Sequence, residues 1–154
     1  MTNSLGHLSG SIPQPLRELI RAVDARFPNR FDIETGTPRD TGESAVTFVP
    51  RNTRGASVFC MYDGVAGDDS FYIWAGSILD AEFRDEADSQ QTNASDWALK
   101  LIENIGEFGL FSILVKTSRG RPRRTDVFAP ESQEEFDSIS LGEYEVVNAY
   151  YEPW

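Results

Sequence analysis

The stretch from Ser95 to Lys116 constrains the fold more than any other part of the sequence. Asn93 or Ser95 can cap the start of a helix there, because each carries a short side-chain oxygen. Apolar residues then recur at helical spacing, and they are Trp97, Leu101, Ile102, Ile105 and Phe108. Gly109 favours a helix exit, and residues 111–115 are a dense run of strand formers. We therefore expect an amphipathic helix with Trp97 largely buried on a sheet, followed by a buried central strand.

A second helix is predicted near the beginning of the chain. Pro15 suits a first helical turn, and Pro28 marks the end of the pattern. Between them the apolar residues fall on one helical face, and they are Leu16, Leu19, Ile20, Val23 and Phe27.

The remaining segments alternate between strand-forming runs and turn-rich runs. Strands are predicted at 31–34, 45–50 and 57–62, and a longer strand from Phe71 to Phe83 is predicted to have a bulge or a close approach at Gly76. After the central helix and its strand, residues 123–129 return as a hairpin partner. One or two helical turns at 130–137 and a last strand at 144–151 complete the order.

This order predicts the α+β class, because adjacent strands joined by short turns form an antiparallel meander. We expect a sheet of about five to seven strands packed by two main helices. Residues 1–14, which are polar and rich in Gly and Ser, are predicted to be a flexible N-terminal arm. Residues 15–154 are predicted to form a single α+β domain.

Composition excludes several classes of protein. A hydrophobic content of 40% argues against disorder, and the single Cys60 excludes an internal disulfide and any multi-cysteine metal site. Cys60 lies in an apolar run and is expected to be buried and inert. We find neither a signal peptide nor an apolar run long enough to cross a membrane, so we expect a cytoplasmic protein with no membrane contact.

The net charge of −11 is unevenly distributed. Residues 60–115 hold eleven acidic and two basic residues, and residues 125–154 hold eight acidic and no basic residues. This acidity argues against nucleic-acid binding, which needs Lys and Arg to displace counterions. Between the two acidic regions, five basic residues cluster on one predicted hairpin tip, where contact with a phosphate, an RNA or an acidic patch stays open: Lys116, Arg119, Arg121, Arg123 and Arg124.

No catalytic, metal or cofactor motif is found. His7 is the only histidine and lies in the arm, which argues against a Ser–His or Cys–His dyad. The turn at 63–70 lacks the alternating ligands and closing Glu of a calcium loop. Asp80 and Glu82 share one face of a predicted strand, so a small hydrolase with paired carboxylates is an alternative function. Our main expectation is a protein that is not an enzyme and holds no cofactor.

A basic protein is the expected partner, and we predict which residues bind it. An acidic run would attract such a partner, while C-terminal aromatic residues would supply desolvated anchors. The predicted partner-binding residues are Asp80, Glu82, Asp85, Glu86, Asp88, Tyr150, Tyr151 and Trp154. The sequence leaves open whether the chain is a monomer or a homodimer.

Element order and composition resemble two kinds of protein. The small size, acidity, lack of catalytic residues and aromatic C-terminus resemble immunity proteins paired with bacterial polymorphic toxins. That resemblance implies neutralisation of a toxin by occluding its basic active cleft. The order helix, strands, helix, hairpin and short helix also looks like the type III secretion chaperone fold, apart from the final strand at 144–151. It implies, as an alternative, a carrier of a partner protein. Neither resemblance rests on a motif, so neither assigns a role to a residue.

Overall fold

The chain folds into three helices and two antiparallel sheets across the part that the structure, a computed structural model, describes. This part comprises residues 12–36, 44–64, 69–76, 78–84, 93–116, 122–142 and 146–154. In chain order the elements are α1 (Gln14–Arg26), β1 (Phe31–Gly36), β2 (Ser44–Pro50), β3 (Val58–Asp63), β4 (Ser70–Ala75), β5 (Leu79–Arg84), α2 (Ala94–Phe108), β6 (Leu110–Lys116), β7 (Pro122–Phe128), α3 (Gln133–Ser140) and β8 (Val146–Tyr151). The predicted α+β class is confirmed.

Strands β1 to β5 form a meander in which each strand pairs with the next along the chain. Strands β7, β6 and β8 form a separate sheet with β6 in the centre. The sequence predicts one sheet of about five to seven strands. The second arises because α2 separates β5 from β6, and β6 then pairs with the later strands β7 and β8.

Gly76 turns the chain between β4 and β5, so the prediction of one long bulged strand is wrong. Its φ of +55° lies in the left-handed region that glycine favours. The N–H of Ile78 donates to the Ala75 carbonyl at 3.4 Å, and Ala75 faces Leu79 across the hairpin. Strand β5 consequently lies at the edge of the five-stranded sheet.

Both long helices contribute to one core with alternate residues of the five-stranded sheet. From α1, the predicted stripe of Leu16, Leu19, Ile20 and Val23 is buried. Ile12, which lies before the helix and within the predicted arm, also joins this core. From the sheet, the residues on the helix-covered face include Val46, Phe48, Val58, Cys60, Phe71 and Ile73. Periodicity of two therefore sets the inner face of each strand.

Helix α2 has the predicted boundaries but a different buried stripe. The Asn93 side chain accepts a hydrogen bond from the Asp96 N–H at 2.9 Å, and Gly109 follows the helix with a φ of +83°. Trp97 is 46% exposed, so the prediction that it is largely buried is wrong. The predicted burial of Ile102, Ile105 and Phe108 is confirmed, but the stripe continues through Ala98 and Ala94 and not through Leu101 and Trp97. The small residues Ala94 and Ala98 form the face that packs into the core, which turns Trp97 outward.

Strand β6 is the central strand of the second sheet, and the prediction that it is buried is confirmed. Leu110, Phe111 and Ile113 are buried, and Phe111 contacts Phe136 of α3 with ring centroids 6.1 Å apart. Helix α3 begins at a cap in which Ser132 accepts from the Glu135 N–H at 3.2 Å. This smaller core is thus built from β6 and α3.

The segment after β8 closes the main core. Trp154 is only 6% exposed, and its indole N–H donates to the Ala56 carbonyl at 2.9 Å. Its ring packs on Phe27 and Phe31, each with centroids 5.5 Å away. Arg30 donates to the Trp154 carbonyl at 3.2 Å. The prediction that Trp154 is a partner-binding anchor is therefore corrected, because a side chain this enclosed cannot contact a partner while the core is intact.

Candidate functional site

The face of the five-stranded sheet turned away from the helices, here called the outer face, carries an unusual set of side chains. Residues on this face alternate with the core residues along each strand. The register lines several of them up in a row across all five strands. From β1 to β5, this row consists of Glu34, Thr47, Phe59, Trp74 and Asp80. It begins and ends with a carboxylate and has two aromatic residues between them.

A second row lies beside the first and crosses three strands. It too combines large apolar or aromatic side chains with a carboxylate at the β5 end. Met61 of β3 faces Tyr72 of β4, and Tyr72 faces Glu82 of β5. Four large apolar or aromatic side chains therefore occupy the middle of the outer face. Asp80 and Glu82 border them on the β5 side.

The aromatic rings of the outer face pack against one another. The Phe59 and Trp74 rings have centroids 5.4 Å apart, and the Tyr72 and Trp74 rings are stacked at 6.1 Å. Trp74 nevertheless remains 37% exposed, and Phe59, Met61 and Tyr72 are half-buried. Contact among neighbouring rings fixes their positions without removing them from water. The result is a preformed apolar surface on the solvent side of a sheet.

Arg84 ties the acidic edge to the aromatic centre. Its Nε donates to the Glu82 carboxylate, and its Nη2 lies 3.5 Å from the Tyr72 hydroxyl. These two contacts, with Glu82 the larger, raise the pKa of the Arg84 guanidinium above its ordinary value. The Asp80 carboxylate has no hydrogen-bond or ion-pair partner among the described residues. Its negative charge is therefore available to a partner at the side of Trp74.

The opposite edge of the outer face is also acidic. Asp32 and Glu34 are exposed on β1, and Arg51 lies 3.3 Å from the Asp32 carboxylate. An aromatic centre surrounded by charged residues is the arrangement of many protein-binding surfaces, since the centre excludes water and the border sets orientation. The outer face is therefore the candidate functional site.

The structure separates the residues that the sequence analysis grouped as one partner-binding set. Asp80 and Glu82 lie together on the outer face, whereas Asp85, Glu86 and Asp88 lie outside the described residues. Tyr150 is 47% exposed on β8 of the second sheet, where its ring contacts Phe111 at 4.8 Å. Burial, with a smaller contribution from the charge of Glu152, raises the pKa of its hydroxyl.

Tyr151 and Trp154 lie at neither of these surfaces. Tyr151 is half-buried and packs close to Gly76, where an added Cβ would lie 2.7 Å from its ring. Trp154 belongs to the core. The aromatic residues that accompany Asp80 and Glu82 are therefore Phe59, Tyr72 and Trp74, which the sequence analysis did not single out.

A signal for these missed residues exists in the sequence. The runs at 58–62 and 71–75 are apolar at nearly every position, whereas a sheet with one solvated face alternates apolar and polar residues. Such runs fit either a strand buried on both faces or a strand with one face kept for a partner. Pairing with the acidic strand β5 would have favoured the second interpretation.

The described part of the chain also contains two grooves and a free thiol that were considered as possible sites. A groove of about 350 Å³ lies between the starts of α1 and α2 and contains Glu18, Asp69 and Asp96 in its wall. A smaller groove of about 170 Å³ lies beside β5 and contains Trp97. Burial raises the pKa of the Cys60 thiol to about 12, so this thiol stays protonated and unreactive in the folded chain. Within the described ranges, no group of three potential metal ligands comes together.

Asp80 and Glu82, the paired carboxylates of the hydrolase alternative, both lie exposed on the open outer face. Glu82 is engaged by Arg84. None of the described helices is long and apolar enough to cross a membrane.

Comparison of the chain with protein-family models, with curated proteins and with solved structures found no match.

Proposed function

We propose that the chain is a protein-binding module that neutralises a basic protein, as an immunity protein does when it occludes the active cleft of a toxin. One observation carries the proposal. The row across the outer face places Phe59 and Trp74 between carboxylates at both sheet edges.

The aromatic centre supports a protein as the partner. Trp74, Tyr72 and Phe59 present large, mutually packed rings, and such rings are enriched among the residues that dominate binding energy. Exposing them to water contributes nothing to folding. A partner that covers them would gain the free energy of removing their apolar area from water.

The acidic border supports a basic partner. Glu34 and Asp80 lie at the two ends of the row, and the whole chain has a net charge of −11. A field of this sign attracts a cationic surface over several ångströms and raises the association rate. Toxins that act on nucleic acids or nucleotides need a cationic cleft to hold phosphates, so their active surfaces are complementary to this one.

Affinity capture with matched variants tests the proposal. The immobilised wild-type chain is exposed to a lysate of its source organism beside a Trp74→Ala variant and a Leu141→Ser variant. Leu141 is the control because it is 86% exposed on a different element. We expect a basic protein to be retained by the wild type and by Leu141→Ser, and its affinity for Trp74→Ala to fall roughly thirtyfold, the scale of a hot-spot loss of about 2 kcal/mol.

Binding kinetics of the recovered protein separate the aromatic and acidic contributions. Asp80→Lys should lower the association rate about tenfold at low salt and less at high salt. Glu134→Lys, an equal charge change on the exposed side of α3, should have a smaller effect. The proposal fails if the captured partner is acidic, or if Trp74→Ala and Leu141→Ser bind it equally.

A further inference from the structure

Strand β5 is an edge strand with unused pairing capacity. It is the last strand in the order of the five-stranded sheet, and β4 is its only strand neighbour in the described part of the chain. The side of β5 away from β4, here called the β5 edge, therefore presents backbone N–H and C=O groups that another strand can pair with.

The two faces of β5 differ in chemistry. Asp80, Glu82 and Arg84 point to the outer face and are exposed, and Arg84 forms an ion pair with Glu82. Leu79, Ala81 and Phe83 point to the core side and are half-buried. A strand added at the β5 edge would continue both faces, because neighbouring strands place their side chains in register on the same side.

A groove on the core side of β5 gives such a strand a place for apolar side chains. This feature, here called the Trp97 groove, has a volume of about 170 Å³. Its walls are Phe83, Trp97, Lys100, Leu101, Asn104, Ala129 and Glu131. Lys100 Nζ lies 5.6 Å from the centroid of the Trp97 ring, within the range of a cation–π contact. Packing of the core does not explain why Trp97 is exposed. Contact with an apolar side chain in this groove would explain it.

We propose that the β5 edge and the Trp97 groove bind an extended segment of a basic protein by strand addition. Its side chains alternate between basic residues, which lie beside Asp80 and Glu82, and apolar residues, which lie on the core side toward Trp97. The inference rests on the proposed function for the basic character of the partner and adds the mode of recognition. Backbone hydrogen bonds to β5 supply affinity, and the alternation of side chains supplies specificity.

Two comparisons within the molecule favour this occupant. A second copy of the chain paired edge to edge would bring together four carboxylates, from Asp80 and Glu82, and two Arg84 guanidinium groups, so the joined edge would keep an unfavourable net negative charge. The other edge of the sheet, β1, has a similar charge pattern, because Arg51 pairs with Asp32 there as Arg84 pairs with Glu82 on β5, so the adjacent groove is what distinguishes the two edges. Of the grooves in the described part, the one containing Trp97 lies at β5. A basic extended segment therefore fits β5 better than either alternative.

The test uses a synthetic peptide, acetyl-Lys-Val-Lys-Leu-Lys-Val-Lys-amide, and two backbone-methylated versions of it. One version carries N-methyl groups on its lysines and the other on its apolar residues. In an extended strand alternate amides point to the same side, so only one of the two methylated sets faces β5. We expect the parent peptide to bind, one methylated version to bind at least tenfold more weakly, and the other to bind like the parent.

Two measurements locate the bound peptide. In a Trp74→Phe variant the fluorescence change on binding is expected to persist, because Trp97 reports it, whereas Trp97→Phe should abolish it and weaken binding about tenfold. Amide hydrogen exchange across residues 79–84 should slow at least tenfold when the parent peptide is bound. Both tryptophans are partly exposed, so neither variant depends on a change in the core.

Each contrary outcome overturns strand addition. Absence of binding does so, and so does equal binding of the two methylated peptides, which would indicate attraction of charge alone. Loss of binding in Trp74→Phe with retention in Trp97→Phe would place the peptide on the outer face instead. The capture experiment with Trp74→Ala is independent of these results, so failure of the proposed function and failure of strand addition are distinguishable.

Discussion

The inner and outer faces of the five-stranded sheet contain similar residues but differ in their exposure to solvent. Along β4, Phe71 and Ile73 are fully buried under the helices, while Tyr72 and Trp74 alternate with them on the outer face and remain accessible. Residue type does not distinguish the two faces, because all four are large and strand-forming. What distinguishes them is the position of α1 and α2, which cover one side only.

This difference separates stability from recognition within a single strand. Burial of the inner residues removes apolar area from water and contributes directly to the free energy of folding. The outer residues keep part of their area in water, so most of their hydrophobic free energy is still available for binding a partner. A chain that had only to fold would carry polar residues at those positions.

The largest expected difference in stability is between substitutions at two neighbouring residues of β4, Phe71 and Tyr72. Phe71→Ala should lower the free energy of unfolding by about 3–5 kcal/mol, because it leaves a cavity in the main core. Tyr72→Ala should lower it by about 1 kcal/mol or less, since the Tyr72 ring is partly exposed. Urea denaturation of both variants measures the difference. Equal losses would mean that the outer face is as enclosed as the inner face.

Alkaline pH should weaken the inner face through Cys60. Burial raises the pKa of this thiol from 9.0 to about 12, so above pH 9 the unfolded chain loses the proton while the folded chain keeps it. Stability is therefore complete below pH 9 and falls as pH rises toward 12, by about 1.4 kcal/mol per pH unit.

The Cys60→Ala variant isolates this effect. Every other ionisable group is the same in both proteins, so the difference between the two pH profiles of unfolding free energy reports the thiol alone. The variant should be less stable at neutral pH, owing to lost packing, and less sensitive to rising pH. Parallel profiles for the two proteins would show that Cys60 is hydrated in the folded chain.

A smaller loss of stability is expected for substitution of Trp97 on α2 than for substitution of a core tryptophan. Because its side chain is 46% exposed, Trp97→Ala should cost about 1 kcal/mol or less. Trp154→Ala, in which a tryptophan of the core is removed, should cost about 3–5 kcal/mol. Thermal or urea melts of the pair compare the two sites. A cost for Trp97 that matches Trp154 would restore the helix register expected from the sequence.

The smallest effect is expected at the border of the outer face. Arg84→Gln removes the contacts of Arg84 with Glu82 and Tyr72. Both partners in the ion pair are well exposed, so the denaturation midpoint should not change measurably. The same variant should alter the salt dependence of partner binding, because it changes the charge beside Tyr72. A clear loss of stability would indicate that this border supports the sheet.

Local patterns in the sequence predicted most of the elements. The cap at Asn93, the helix exit at Gly109 and the inward residues Val46 and Phe48 depend on neighbours close in the chain. The α+β class and both long helices are accordingly confirmed. The edge position of β5 was not predicted, because Gly76 can mark either a bulge or a turn until strand pairing decides between them.

The errors at the candidate site have a common physical cause. The sequence predicts Trp97 inside the core and Trp154 at an interface, whereas Trp97 is exposed and Trp154 is buried. Large aromatic residues suit a core and a binding surface equally well. Which of the two they occupy depends on contacts distant in sequence, such as the Trp154 indole with Ala56, which spacing along the chain does not encode.

Because Trp154 is part of the main core, packing of that core cannot be completed until this residue has been synthesised. Arg30 and Trp154 are 124 residues apart, so a ribosome adding about 5–20 residues per second needs roughly 6–25 seconds to make the second after the first. During that interval Phe27 and Phe31 lack the ring against which they finally pack. Until Trp154 has emerged, the nascent chain therefore keeps Phe27 and Phe31 without the ring that encloses them in the folded core.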